Sequence, residues 1–86
     1  MELHRSARKH GVADDDIVHA AEHALAGYAL EDGDDEPRRT LLLDLDRAGN
    51  LLELVVLEFD DGRRLVIHAM PMRPVYRDLL PHPDDA

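Results

Sequence analysis

Three apolar runs joined by very short turn sequences constrain this chain more than any other feature. Thr40 to Asp46 alternates, with Leu41, Leu43 and Leu45 on one side and Asp44 and Asp46 on the other. Leu51 to Phe59 is more continuously apolar, as suits a middle strand, and Arg63 to Met70 follows. Ala48-Gly49-Asn50 and Asp60-Asp61-Gly62 separate them. Links this short leave no room for a crossover helix, so the runs predict an antiparallel meander. Met70-Pro71-Met72-Arg73-Pro74 stops the last strand, because proline lacks the N–H a central strand must donate. Beyond it, Val75, Leu79 and Leu80 predict a short helix with Pro74 in its first turn and Arg73 and Arg77 one turn apart.

The N-terminal half supplies cover for such a sheet. Residues 3 to 10 predict a short helical segment stopped by Gly11, and Asp14 to Asp16 a cap and acidic first turn. From Ile17 to Leu30, apolar Ile17, Ala20, Ala21, Ala24, Leu25 and Tyr28 recur at spacings of three and four, the pattern of an amphipathic helix. Ile17, Ala21, Ala24, Leu25 and Tyr28 are expected to pack on Leu43, Leu54, Val56, Leu65 and Ile67. The segment Glu31 to Pro37 reads as a mobile acidic surface loop. The expected fold is α+β: N-terminal helices on a small antiparallel meander of about three to four strands with a short C-terminal helix. Residues 1 to 86 form one domain, with the sheet and last helix over 37 to 80 and a fraying tail from 81 to 86.

Composition bounds the function. The formal charge is −9, from 19 acids against 10 bases, which works against whole-surface attraction to nucleic acid or anionic lipid. The bases are clustered, however, at Arg5, Arg8 and Lys9, at Arg38 and Arg39, at Arg63 and Arg64, and at Arg73 and Arg77. With no cysteine, thiolate metal sites and disulfides are excluded. No apolar run approaches the ~18 residues of a membrane span and no secretory signal opens the chain, so a cytoplasmic location without membrane contact is expected.

Three constellations carry chemistry. His19-Ala20-Ala21-Glu22-His23 has the His-x-x-Glu-His order of inverted zinc proteases, but only two ligands are in view and the chain is too short for that architecture. No metal site and no cofactor is expected. Asp44 with Asp46, and Glu53 with Glu58, read as acids on the solvated face of a sheet. The basic and imidazole set is Lys9, His10, Arg64, His68, Arg73, Tyr76 and Arg77. Strand alternation puts Arg64, Val66 and His68 on one face. Arginines can hold a phosphodiester and stabilise its transition-state charge, while a histidine or tyrosine moves the proton. This is equipment for metal-free RNA cleavage.

The order of segments adds to this. Arg8-Lys9-His10-Gly11-Val12 precedes the acidic helix start, and the last strand runs Arg64-Leu65-Val66-Ile67-His68-Ala69-Met70-Pro71-Met72-Arg73. The chain resembles the BrnT-type toxins of the RelE superfamily, which carry a Lys-His-Gly after their first segment and an Arg-x-Ile-Ile-Ser strand followed by arginines. The resemblance implies a RelE-like fold and the toxin of a bacterial type II toxin–antitoxin pair. Such a toxin is a metal-independent endoribonuclease that inhibits translation and is held by a cognate antitoxin. In the family's pattern the Lys-His-Gly falls on Lys9, His10 and Gly11 and the arginines after the last strand on Arg73 and Arg77. Taken with the basic and imidazole set, this predicts catalysis on His10, His68, Arg73 and Arg77, with Lys9, Arg64 and Tyr76 contacting RNA, on ribosome-bound mRNA or otherwise. The alternative is a non-catalytic interaction module of the same fold, an inactive toxin relative. A hydrolase using His19 and His23 is a distant third, and a homodimer is left open.

Overall fold

The computed structural model describes residues 1–30 and 36–81. Most of the predicted acidic loop, residues 31–35, and the end of the predicted tail, residues 82–86, lie outside the described residues. The elements are β1 (Glu2–Leu3), a 3₁₀ turn η1 (Arg5–Arg8), α1 (Asp14–Glu22), β2 (Ala26–Ala29), β3 (Arg38–Leu45), β4 (Leu51–Glu58), β5 (Arg64–Pro71) and a second 3₁₀ segment η2 (Pro74–Leu79). The fold is α+β. Its sheet has five strands in the order β1-β5-β4-β3-β2. The meander β3-β4-β5 is antiparallel, as its turns predict, while β1 adds in parallel and makes the sheet mixed. Gly62 closes the β4–β5 turn at φ 91°, a conformation that side-chain-bearing residues rarely adopt.

The predicted long helix is two elements. It runs only from Asp14 to Glu22, and Ala26–Ala29 is instead an edge strand paired antiparallel with Leu43 to Thr40. An alanine-rich stripe permits a helix here, but Gly27 and Tyr28 disfavour one, and β3 offers an unpaired ladder of backbone groups that β2 satisfies. The cap residue of α1 is Ala13, whose side chain caps nothing. Asp14, Asp15 and Asp16 occupy the first turn, beside the positive end of the helix. Two of them also tie the helix down: Asp14 takes two hydrogen bonds from Arg8 (2.9 and 3.0 Å), and Asp16 accepts from Nε of Arg47 at 2.8 Å.

Packing corrects the expected pairing of helix and sheet. Ile17, Ala20 and Ala21 do cover the sheet, together with Ala7, but they meet Leu42, Leu52, Leu54, Val56, Val66 and Ala69. Ala24 and Leu25 lie in the connection to β2 and are exposed, and so is Tyr28. Leu43 is fully buried on the opposite face, where it neighbours Glu53, itself opposite Met70. The expected acid-out pattern of β3 also fails, because both of its faces are covered. α1 covers one face, and η2 reaches the other, where Tyr28 Oη donates to the Leu79 carbonyl.

Register changes inside β5. Val56 pairs with Val66 but Val55 pairs with His68, so Ile67 is the extra residue of a β-bulge. Val66 and Ala69 therefore both enter the helix-side core, and His68 turns to the η2 side. Arg64, Val66 and His68 do not share a face, contrary to simple alternation. η1 anchors at this bulge: the amide of His4 donates to the Val66 carbonyl at 2.9 Å, and Ser6 Oγ donates to the Ile67 carbonyl.

Asp44 is the discordant group of the helix-side core. It is 0% exposed, Oδ1 accepts from the amide of Leu25 at 3.1 Å, and Oδ2 has no hydrogen-bond partner among the described residues. Burial pushes its carboxyl up to about 6, against smaller opposing effects of the Leu25 hydrogen bond and the charges of Arg64 and His23. A folded-state value above the unfolded one means that stability is greatest below the unfolded value and is lost as pH rises through about 6. Removing the charge should relieve this. Asp44→Asn is expected to stabilise the fold at neutral pH by roughly 1–2 kcal/mol and to flatten the stability profile across the acid-to-neutral range. Urea titrations at a series of pH values check it; a variant no more stable than the parent at neutral pH would refute the assignment.

Candidate functional site

The site is built around one carboxylate. β4 is the central strand, and Glu53 lies in its middle, 0% exposed, on the face away from α1. A charge buried there needs compensation, and the chain provides it from two sides. β5 contributes His68, whose Nε2 donates to Glu53 Oε1 at 3.0 Å. Past Pro71 the chain turns back, with the Met72 amide bonded to the Leu51 carbonyl, and delivers Arg73 onto the same carboxylate. The amide of Arg73 donates to Oε2 at 2.9 Å, while Nη2 and Nε donate to Oε1 at 2.7 and 3.0 Å. Burial alone would raise the Glu53 carboxyl. The bonds from the Arg73 side chain and amide and from His68 together outweigh burial and hold it below the usual carboxylate range.

Around this clamp the structure gathers four of the seven residues singled out by sequence. His10, carried past the β5 edge by η1, places its ring 5.5 Å from that of His68, edge to face at 75°. The Arg73 guanidinium stands 5.6 Å from the ring centre of half-buried Tyr76. Lys9 is exposed and adjacent to His10 in sequence. Arg77 is exposed on η2 and forms no ion pair among the described residues. Arg64 is not brought in. It lies before the bulge and keeps the helix-side face of Val66, while the bulge turns His68 away from it; there Arg64 lines a separate depression of about 320 Å³ with Met1, Glu2, Glu22, Gly62 and Arg63. A second groove, of about 480 Å³, opens beside His10 and is floored by Val12, Leu51, Leu52 and Pro71.

Glu53 is the residue sequence reasoning placed wrongly, as an acid at a solvated rim. A signal was present: it is a lone acid among Leu51, Leu52, Leu54, Val55, Val56 and Leu57, in a run apolar enough to be covered on both faces. His19 and His23 do stack, with ring centres 4.4 Å apart, but Nδ1 of His23 donates to the His19 carbonyl at 2.7 Å. Among the described residues no group of three or more His, Asp or Glu side chains could hold a metal ion. No helix among them is long and apolar enough to cross a membrane. No protein-family model matches the chain, and neither a curated protein nor a solved structure matches it.

Arg73 thus neutralises a buried charge, so its removal cannot be neutral for stability. Arg73→Ala leaves the Glu53 carboxylate with His68 and the residue 73 amide but no cation, and should cost roughly 2–3 kcal/mol, less than a fully buried pair because the arginine side chain is half exposed. Arg77→Ala should stay within about 0.5 kcal/mol. Chemical denaturation of the two variants checks this, and equal effects would contradict the clamp.

Proposed function

We propose that the protein is a metal-independent endoribonuclease, the toxin of a type II toxin–antitoxin pair. The observation that carries this reading is the pair of neighbouring histidines, His10 and His68, one of them backed by an ionised carboxylate. Cleavage by an internal 2′-hydroxyl needs one group to take the hydroxyl proton and another to protonate the departing 5′-oxygen. The products are a 2′,3′-cyclic phosphate and a 5′-hydroxyl, with no metal and no water consumed. Two imidazoles a few ångströms apart suit these roles at neutral pH. Charge gained on the phosphate would be met by Arg77, which no acid engages among the described residues, by Lys9, and by the part of the Arg73 guanidinium that Glu53 leaves open. RNA, bound to the ribosome or free, is the substrate in this reading, and a cognate antitoxin the protein partner.

The reading predicts that purified chain cleaves RNA in the presence of a chelator, and that induced expression arrests bacterial growth unless the neighbouring gene is co-expressed. His10→Ala and His68→Ala should each lower cleavage by about a hundredfold or more, and Arg77→Ala by about tenfold or more with stability unchanged. A wild-type chain that neither cleaves RNA nor slows growth would overturn the proposal.

A second reading, the non-catalytic interaction module, is favoured by the β2 edge. Ala26-Gly27-Tyr28-Ala29 has no charge, proline or bulge, the usual devices that blunt an open edge. Leu25, Tyr28, Leu30 and Leu79 are exposed. Such an edge suits strand addition by a partner, an antitoxin or a second copy of the chain. In this reading the wild-type chain cleaves no RNA, and Tyr28→Lys should abolish the association, as read by sedimentation of the chain alone and with its neighbour's product; undiminished association would remove β2 from the interface.

A further inference from the structure

The ribonuclease reading leaves open which histidine is base and which is acid, and the surroundings of Glu53 decide it. Glu53 is ionised, because its carboxyl is held below the usual range, and an ionised carboxylate can only accept hydrogen bonds. Its Oε1 lies 3.0 Å from Nε2 of His68, so that nitrogen must carry the proton. In the neutral ring the free lone pair is then on Nδ1. No hydrogen bond engages that atom among the described residues, and the His68 side chain is 28% exposed. His10 has no carboxylate behind it among the described residues and lies exposed at the edge of the His68 ring.

We infer that Glu53 is the positioning residue of the site: it fixes His68 as the Nε2–H tautomer, so that Nδ1 of His68 is the base that takes the 2′-hydroxyl proton while His10 protonates the leaving 5′-oxygen. The inference rests on the ribonuclease reading, but its geometry does not. Arg73 supports the same arrangement. By engaging both carboxylate oxygens it keeps Glu53 ionised and fixes its orientation, so the acceptor presented to His68 cannot swing away. Glu53 itself touches no substrate, since it is fully buried beneath the two side chains it holds.

The substitution that separates positioning from bulk structure is Glu53→Leu, which fills the same buried space and removes the acceptor. Glu53→Gln would not serve, because Oε1 takes bonds from both His68 and the Arg73 guanidinium, so an amide would keep its oxygen there and hold the same tautomer. Without an acceptor beside Nε2, nothing fixes the proton of His68 on that nitrogen, and Nδ1 is no longer reserved as the base.

Nitrogen-15 spectra of histidine-labelled chain at mildly alkaline pH read this directly. The expected result is a wholly Nε2–H His68 in the wild type and a mixture of the two tautomers in Glu53→Leu. Cleavage should fall by about a hundredfold in that variant, with KM little changed. A wild-type His68 found as Nδ1–H, or in an even mixture, overturns the inference, and that spectrum needs no variant to fold. A Glu53→Leu variant whose His68 stays wholly Nε2–H overturns it too. A chain with the expected tautomer that cleaves no RNA would instead overturn the ribonuclease reading, and with it the assignment of His68 as a base.

Discussion

A carboxylate buried in the central strand is the constraint on which the rest of this structure hangs. Glu53 cannot be left uncompensated on β4, because an isolated ionised group inside a protein is costly enough to unfold a small domain. The solution is an arginine that uses its backbone amide and its guanidinium together, plus an imidazole from the neighbouring strand. The consequence reaches beyond the ion pair. To place Arg73 on Glu53 the chain must leave the sheet at Pro71 and fold back, and this sets the path by which η2 arrives over the second face. A short segment with no buried residue of its own is thereby held where Tyr28 can bond its last turn.

The β-bulge in β5 is the second device, and it makes the first one serviceable. Without the extra residue at Ile67, His68 would follow Val66 into the helix-side core, where no carboxylate awaits it. With the bulge, one strand supplies Val66 and Ala69 to the core and His68 to Glu53. The carbonyls that the irregularity would leave without partners are used by the N-terminal segment, through His4 and Ser6. That docking carries η1 along the β5 edge and brings His10 to His68. The candidate site is therefore assembled from the two ends of the chain upon its middle, and a single register shift aligns all three.

The two buried acids make an instructive contrast. Glu53 has five hydrogen bonds from two partners and stays ionised; Asp44 has one and is pushed up to about 6. Burial is the common factor and compensation the difference, and only the compensated one is suited to hold another group in a fixed protonation state.

What the residues alone determined is the local part of this fold. The three meander strands are legible because alternation and β-branched runs end at Gly-containing turns, and a three-residue link permits little besides a hairpin. The start of α1 is legible from its acids, and the end of β5 from its prolines. Lys9, His10, His68, Arg73 and Tyr76 could be named as a chemical set from their types and order. The remainder is non-local, and pattern carries no information about it. Ala26 to Ala29 is a strand because β3 has an open edge, and an alanine-rich sequence cannot announce that. The face of His68 depends on a bulge whose extra residue has no special sequence. Asp44 and Glu53 read as solvated acids until something covers the sheet on both sides. Whether a charge is a surface ornament or the centre of a site is decided by what lies above it, and only the tertiary structure brings Arg73 there.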